Sequence, residues 1–101
     1  MNVTEIVRLN KSIQRIVCDD VQLDVPYGAL DVATGDQVRL EVDPKHMSSA
    51  ECVMNGSVYF TDDTHACVSC GGLLAKIRHP DLKMDSDVQL HLSKCRRRRR
   101  S

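Results

Sequence analysis

The chain has no tryptophan, one phenylalanine and two tyrosines. It therefore has few of the rings on which single-stranded nucleic acids stack their bases. It also has no run of about 18 apolar residues, the length a helix needs to cross a bilayer. Its first residues lack the basic-then-apolar order of a secretory leader, so neither membrane insertion nor secretion is expected. With 101 residues there is room for one domain around a single modest core. Charge of either sign is missing on balance, 14 basic residues against 14 acidic ones. The balance hides an asymmetry, because Lys94, Arg96, Arg97, Arg98, Arg99 and Arg100 supply six of the basic groups. The body before that tail is acidic, which argues against a basic nucleic-acid footprint on the fold itself.

Chemistry is also sparse. Cys18, Cys52, Cys67, Cys70 and Cys95 form an odd, irregularly spaced set, which reads as reduced thiols of a cytosolic or nuclear protein. Cys67-Val68-Ser69-Cys70 has the spacing of half a zinc knuckle, with His46 and His65 as conceivable further ligands. A second cysteine pair is missing, and strand residues three apart face opposite sides, so no metal is expected. His65 beside Asp62 and Asp63 could be drawn as an acid–base dyad, but Thr61-Asp62-Asp63-Thr64 reads as a polar turn between strands. Gly71-Gly72 lacks the Lys-Ser/Thr ending of a phosphate loop. Neither an active site nor a cofactor site emerges, and the chain reads as a non-enzyme.

What is present is alternation of period two, the mark of half-buried strands. Val21, Leu23 and Val25 alternate with Gln22 and Asp24; Val38, Leu40 and Val42 with Arg39 and Glu41; Val88, Leu90 and Leu92 with Gln89 and His91. Ala66, Val68 and Cys70 form another run, and Cys52, Met54, Val58 and Phe60 a strand or hairpin bent near Asn55-Gly56, a favoured turn dipeptide. Ile6 to Val17 suits a helix or short strands equally. Asp43 to Ser49 and His79-Pro80-Asp81 read as surface loops. Many short strands with frequent turn residues predict an all-β fold, a small antiparallel barrel.

The segment Ser69-Cys70-Gly71-Gly72-Leu73-Leu74-Ala75-Lys76-Ile77 is the most distinctive. Paired glycines between β-like runs mark a bulge, a tight bend, a barrel corner or close approach by another backbone. Leu73 and Leu74 must face opposite sides of a strand, so one fills the barrel and the other faces outward. Upstream stands Val53-Met54-Asn55-Gly56-Ser57-Val58-Tyr59, and downstream Met84-Asp85-Ser86-Asp87-Val88. In that order, with Leu23-Asp24-Val25, Gly35-Asp36 and Arg39-Leu40 before them, these blocks resemble the OB-fold subunit shared by eukaryotic RNA polymerases I, II and III, the eighth of the Rpb series. The resemblance covers residues 20 to 94. The family's long acidic central loop has only Asp43 to Ala50 as a counterpart here.

The resemblance implies an OB-type barrel over residues 1–94 with a basic tail at 95–101, and tips Ile6 to Val17 toward strands. It also implies a nuclear, non-catalytic subunit docked on the largest polymerase subunit, supporting assembly. The interface expected on that reading comprises Asn55, Gly56, Gly71, Gly72, Leu73, Leu74 and Lys76. Arg96 to Arg100 suit a disordered tail that serves nuclear import or phosphate contact. A competing reading is an independent single-stranded nucleic-acid-binding OB domain, for which Tyr27, Tyr59 and Phe60 are the available rings. A small metal-binding regulator would need the Cys67–Cys70 pair.

Overall fold

The structure, a computed structural model, describes residues 1–45, 50–79 and 81–95. The expected basic tail from Arg96 onward, most of the 43–49 loop, His46 and Pro80 lie outside those residues. Eight strands follow one another: β1 (Glu5–Arg8), β2 (Ile13–Cys18), β3 (Val21–Pro26), β4 (Gln37–Val42), β5 (Cys52–Thr61), β6 (Ala66–Cys70), β7 (Leu73–Ile77) and β8 (Asp87–Cys95). They form one antiparallel sheet in the order β1-β2-β3-β7-β6-β5-β8-β4. There is no helix among the described residues, so none is long and apolar enough to cross a membrane. The sheet curls into a half-barrel, the all-β architecture expected from the alternation and consistent with a small OB-type barrel. At one end its outer strands are tied together: Asn2 bridges Gln37, and the Val3 N–H donates to the Asp36 carbonyl at 2.8 Å.

Burial follows the period of two. Ile16 and Cys18 of β2, Leu23 and Val25 of β3, Val58 of β5, Val68 of β6, Ile77 of β7, and Leu90 and Leu92 of β8 meet inside the curl. Each alternates with an outward, more accessible neighbour, apart from Asp24, considered below. All three aromatic side chains stay on the surface, so the core is built from aliphatic, cysteine and methionine side chains alone. The ambiguous early stretch is a β-hairpin. Thr4 to Arg8 run back along β2, and Asn10 holds the reversal by accepting the Ser12 N–H on its Oδ1 at 2.7 Å. β8 continues through Cys95, which pairs with Gln37, so the sheet reaches one residue past the expected domain boundary.

Of the readings open to the paired glycines, the tight bend is the one observed. Gly71 and Gly72 are the central residues of a two-residue hairpin turn between β6 and β7, with Cys70 opposite Leu73. Both have positive φ, +60° and +95°, which that turn requires and glycine supplies without steric cost. Asn55-Gly56, by contrast, is no turn. It lies inside β5, opposite Gln89 and Val88, and it is here that another chain segment comes close. A Cβ on Gly56 would sit 2.5 Å from Cys70 Sγ, 2.6 Å from Val68 Cγ1 and 2.7 Å from the Ser69 carbonyl oxygen. One residue later, Ser57 pairs with Asp87 on one side and Ser69 on the other, and beyond it β5 continues along β6. A bulge between Val58 and Phe60 shifts the register, so Phe60 falls out of the inward series and is 51% exposed.

Gly56→Ala is therefore expected to destabilise the domain by about 1–3 kcal/mol, the usual cost of overpacking. The melting temperature should fall by several degrees, at roughly 4–8 °C per kcal/mol for a domain of this size. Gly71→Ala meets no neighbour within 4 Å and should cost only the left-handed backbone penalty, about 1 kcal/mol. Thermal and urea melts of the two variants test this; a Gly56→Ala protein as stable as the parent would refute the close packing of β5 on β6.

Candidate functional site

The outward face of the strands around Gly56 carries a groove of about 510 Å³, lined by Asp43, Asn55, Gly56, Ser57, Ser69, Gly71, Asp87, Val88 and Gln89. Its origin is local. β5 changes partners at Ser57, small residues occupy the floor, and the glycine turn at 71–72 adds no side-chain wall. The lining is held by hydrogen bonds: Ser57 Oγ donates to Asp87 Oδ1 at 3.0 Å, and the Gln89 N–H donates to Asp43 Oδ1 at 2.8 Å. Hydroxyls, amides and two carboxylates make up its polar surface, with no imidazole or thiol among them. This chemistry can hydrogen-bond polar groups of a ligand or partner.

Of the residues expected at an interface, Asn55, Gly56 and Gly71 line the groove, and Gly72 completes the adjoining turn. Leu74 lies opposite Ser69 on the same outward face and is 44% exposed; Lys76 follows it two residues on, also exposed. Leu73 points the other way and packs partly buried against the core. The two leucines thus divide between interior and surface as strand geometry requires. Ser57, Ser69, Asp87, Gln89 and Asp43 were not anticipated. They come from β5, β6, β8 and the end of β4, and only the β6-β5-β8-β4 order brings them together.

Beneath Leu74 lies a second unanticipated feature. Asp24 alternates with core residues and should be exposed, yet only 4% of its surface is accessible. Its carboxylate accepts from Arg15 Nε at 2.7 Å and Nη2 at 3.2 Å, and from the Leu74 N–H at 3.3 Å. A bidentate guanidinium and a backbone amide supply the partners a buried carboxylate needs. The signal was available in the hairpin: with Cys18 opposite Val21, Arg15 falls opposite Asp24.

The suspected His65 dyad is a structural clamp. Asp62 Oδ1 accepts from the N–H groups of Thr64 at 2.8 Å and His65 at 2.7 Å, so the β5–β6 connection is the expected polar turn. The buried His65 ring places Nε2 at 2.9 Å from Asp20 Oδ2 and Nδ1 at 2.6 Å from Thr64 Oγ1. Arg78 donates to the same Asp20 oxygen. The β2–β3 turn, the β5–β6 turn and the end of β7 are thereby held together. Burial pushes the Asp20 carboxyl up, but the Arg78 hydrogen bond and charge and the His65 contact outweigh it and hold the group below the usual range. Asp62 is also lowered, first by the Thr64 and His65 backbone donors.

Cys67 and Cys70 lie on opposite faces of β6, one partly exposed and one buried. Among the described residues no three His, Cys, Asp or Glu side chains converge to hold a metal ion. Burial raises the Cys18, Cys52 and Cys70 thiols, keeping them protonated and unreactive. The rings are dispersed. Tyr27 lies under the Arg8 guanidinium at 4.1 Å, beyond the end of β3, whereas Tyr59 and Phe60 stand at the β5 bulge. The class that fold and surface define is an all-β half-barrel with a polar groove on its outward face. Neither a scan against protein-family models nor a search of curated proteins finds a match for the chain.

Two measurements check the site. Leu73→Ala should cost about 2 kcal/mol, near the low end for buried leucines, and Leu74→Ala less than about 0.5 kcal/mol, as for other surface changes. Urea melts would contradict the assignment if the order were reversed. Secondly, Asp20 and Asp62 are both depressed, so their stabilisation is present above the unfolded carboxylate value, about 3.9, and is lost as pH falls through the folded values. Unfolding free energy should decline below about pH 4, with a shallower decline in an Asp20→Asn, Asp62→Asn double variant. An equally steep fall in that variant would remove the two carboxylates from the account.

Proposed function

We propose that the chain is a non-catalytic subunit shared by the nuclear RNA polymerases I, II and III, docking through the outward face of β5, β6 and β7 on the largest subunit. Two lines support the reading: the ordered sequence blocks that resemble the shared OB-fold subunit, and the barrel-type all-β fold in which they sit. The observation that carries it is the gathering of Asn55, Gly56, Gly71, Gly72 and Leu74 on and beside one groove, with Lys76 on the same face. These residues derive from two of the quoted blocks, which the β5–β6 and β6–β7 pairings unite. A polar floor beside an exposed leucine matches the mixture of apolar anchor and hydrogen-bonding rim found in stable interfaces. The chain contributes surface and shape, not chemistry, and Arg96 to Arg100 supply a nuclear-import signal or phosphate contacts.

The independent nucleic-acid-binding alternative gains less support. A stacking platform needs clustered rings in a basic groove, whereas the groove here carries Asp43 and Asp87 and the rings are dispersed. Purification of the tagged chain from nuclei should return the largest polymerase subunits in stoichiometric amounts. Leu74→Ala should weaken that association by about 1 kcal/mol or more while leaving the isolated domain folded. Recovery of the endogenous protein only as a free monomer would overturn the proposal.

A further inference from the structure

Among the described residues, the outer edge of β4 is half used. Met1 to Val3 lie antiparallel along its start: the Met1 amino group donates to the Val38 carbonyl at 2.9 Å, and the Val38 N–H donates to the Met1 carbonyl at 2.8 Å. Along a strand, the N–H and C=O of alternate residues point to the same side. Leu40 and Val42 are in phase with Val38, so theirs aim at that same edge, while Arg39 and Glu41 pair with Ser93 and His91 of β8. Among the described residues, nothing meets the edge groups of Leu40 and Val42. The side chains tell the same story. Val38 is fully buried, whereas Leu40 and Val42, on the same inward face, are only partly covered. Beside this edge opens a cleft of about 500 Å³, lined by Val38 and Leu40, by Cys18 and Val21 of the β2–β3 hairpin, and by Arg39 and Arg78, among others.

We propose that β4 takes up an extended segment of a protein partner as an added strand, antiparallel to β4 and continuing the line of Met1–Val3. Unpaired N–H and C=O groups in strand geometry are satisfied by another backbone in strand geometry. The register also defines the segment's sequence class. Its residues opposite Val42 and Leu40 face inward, the latter into the cleft, and should be apolar. Its residues opposite Glu41 and Arg39 face outward beside those charges, and directly opposed opposite charges stabilise a strand pair while like charges oppose it. From N- to C-terminus the segment reads apolar, basic, apolar, acidic. The assignment is independent of the polymerase reading, because it stands or fails on the isolated chain.

Nuclear magnetic resonance with amide hydrogen exchange tests it in two forms. In the 101-residue chain, the Leu40 and Val42 amides should exchange freely while those of Arg39 and Glu41 are protected. Placing Ser-Val-Lys-Val-Glu directly before Met1 sets the glutamate opposite Arg39 and the lysine opposite Glu41. Exchange at Leu40 and Val42 should then slow by about tenfold or more, and by less with the charge-swapped extension Ser-Val-Glu-Val-Lys. In trans, acetyl-Ser-Val-Lys-Val-Glu-amide should shift the Leu40 and Val42 resonances, more strongly than the swapped peptide does. Leu40→Pro removes the edge N–H without touching the β8 ladder and should abolish the shift; if that variant does not fold, the charge-swap comparison decides alone. Leu40 and Val42 amides already protected in the unextended chain would overturn the proposal, whether the chain itself or a second copy covers them, the latter shown by dependence on protein concentration. So would extensions that bring no protection, or peptides of either charge order acting alike.

Discussion

At Gly56 the β5 backbone runs so near β6 that a methyl group would lie within 2.7 Å of three atoms of that strand. Most of the architecture follows from that contact. β5 lies along β8 up to Ser57 and along β6 from Ser57 onward, so one ten-residue strand belongs to two parts of a strongly coiled sheet. A glycine at the crossover lets the two runs pack without a side chain wedged between them. The bulge at Val58/Phe60 adds local twist in the same region. Curling gathers the apolar side chains of strands distant in sequence into one interior. It also leaves small residues along the outward crease, where the polar groove forms. Core and candidate docking surface are two sides of the same bend.

Electrostatics secures what the ladders alone leave thin. β3 and β7 share only two paired positions, Gln22 with Lys76 and Leu23 with Ala75. The Asp24 carboxylate extends that junction by accepting the Leu74 N–H, and Arg15 neutralises it from β2. Leu74, the apolar residue beside the groove, is thereby fixed at its backbone by a buried charge pair. At the other end of the same strands, Asp20 joins Arg78 and His65. Both networks consist of a carboxylate from the β2–β3 hairpin reaching toward β7. They make that hairpin a brace for the part of the sheet that carries the candidate interface. Groups of this kind hold geometry well when fully partnered and are costly when one partner is lost.

The edge of β4 belongs to the same economy of backbone groups. A curled sheet of this size has to close or leave strands exposed. Here Met1 to Val3 tie the two margins at one end, with Met1 meeting Val38 and Asn2 bridging Gln37. That contact covers the buried Val38 and Val3, while the remainder of β4 runs in strand geometry beside a cleft whose lining mixes Val21, Val38 and Leu40 with Asp19, Asp20, Arg39 and Arg78. The outward groove and the open edge are distinct surfaces, one defined by small polar side chains and the other by main-chain groups.

Alternation marked the chain as largely β, five of its runs as strands and most of the side chains that face inward, because a strand's period of two is written directly in residue order; it left Ile6 to Val17 open between helix and strands, and it put Asp24 among the exposed residues and Phe60 among the inward ones. The same rule separated Leu73 from Leu74 and Cys67 from Cys70. The pairing Arg15–Asp24 was within reach of hairpin arithmetic. Tertiary structure decided the rest. Asn-Gly and Gly-Gly are both turn-forming pairs, and local preference cannot say which one turns and which one is crossed by another strand; the β5–β6 contact at Gly56 settles it. Phe60 looked like core because a bulge, which inverts the alternation, leaves no mark in the pattern of apolar residues. The groove and the half-open β4 edge depend on strand order, β6-β5-β8-β4, and strand order arises from contacts between residues far apart along the chain, which no local period encodes.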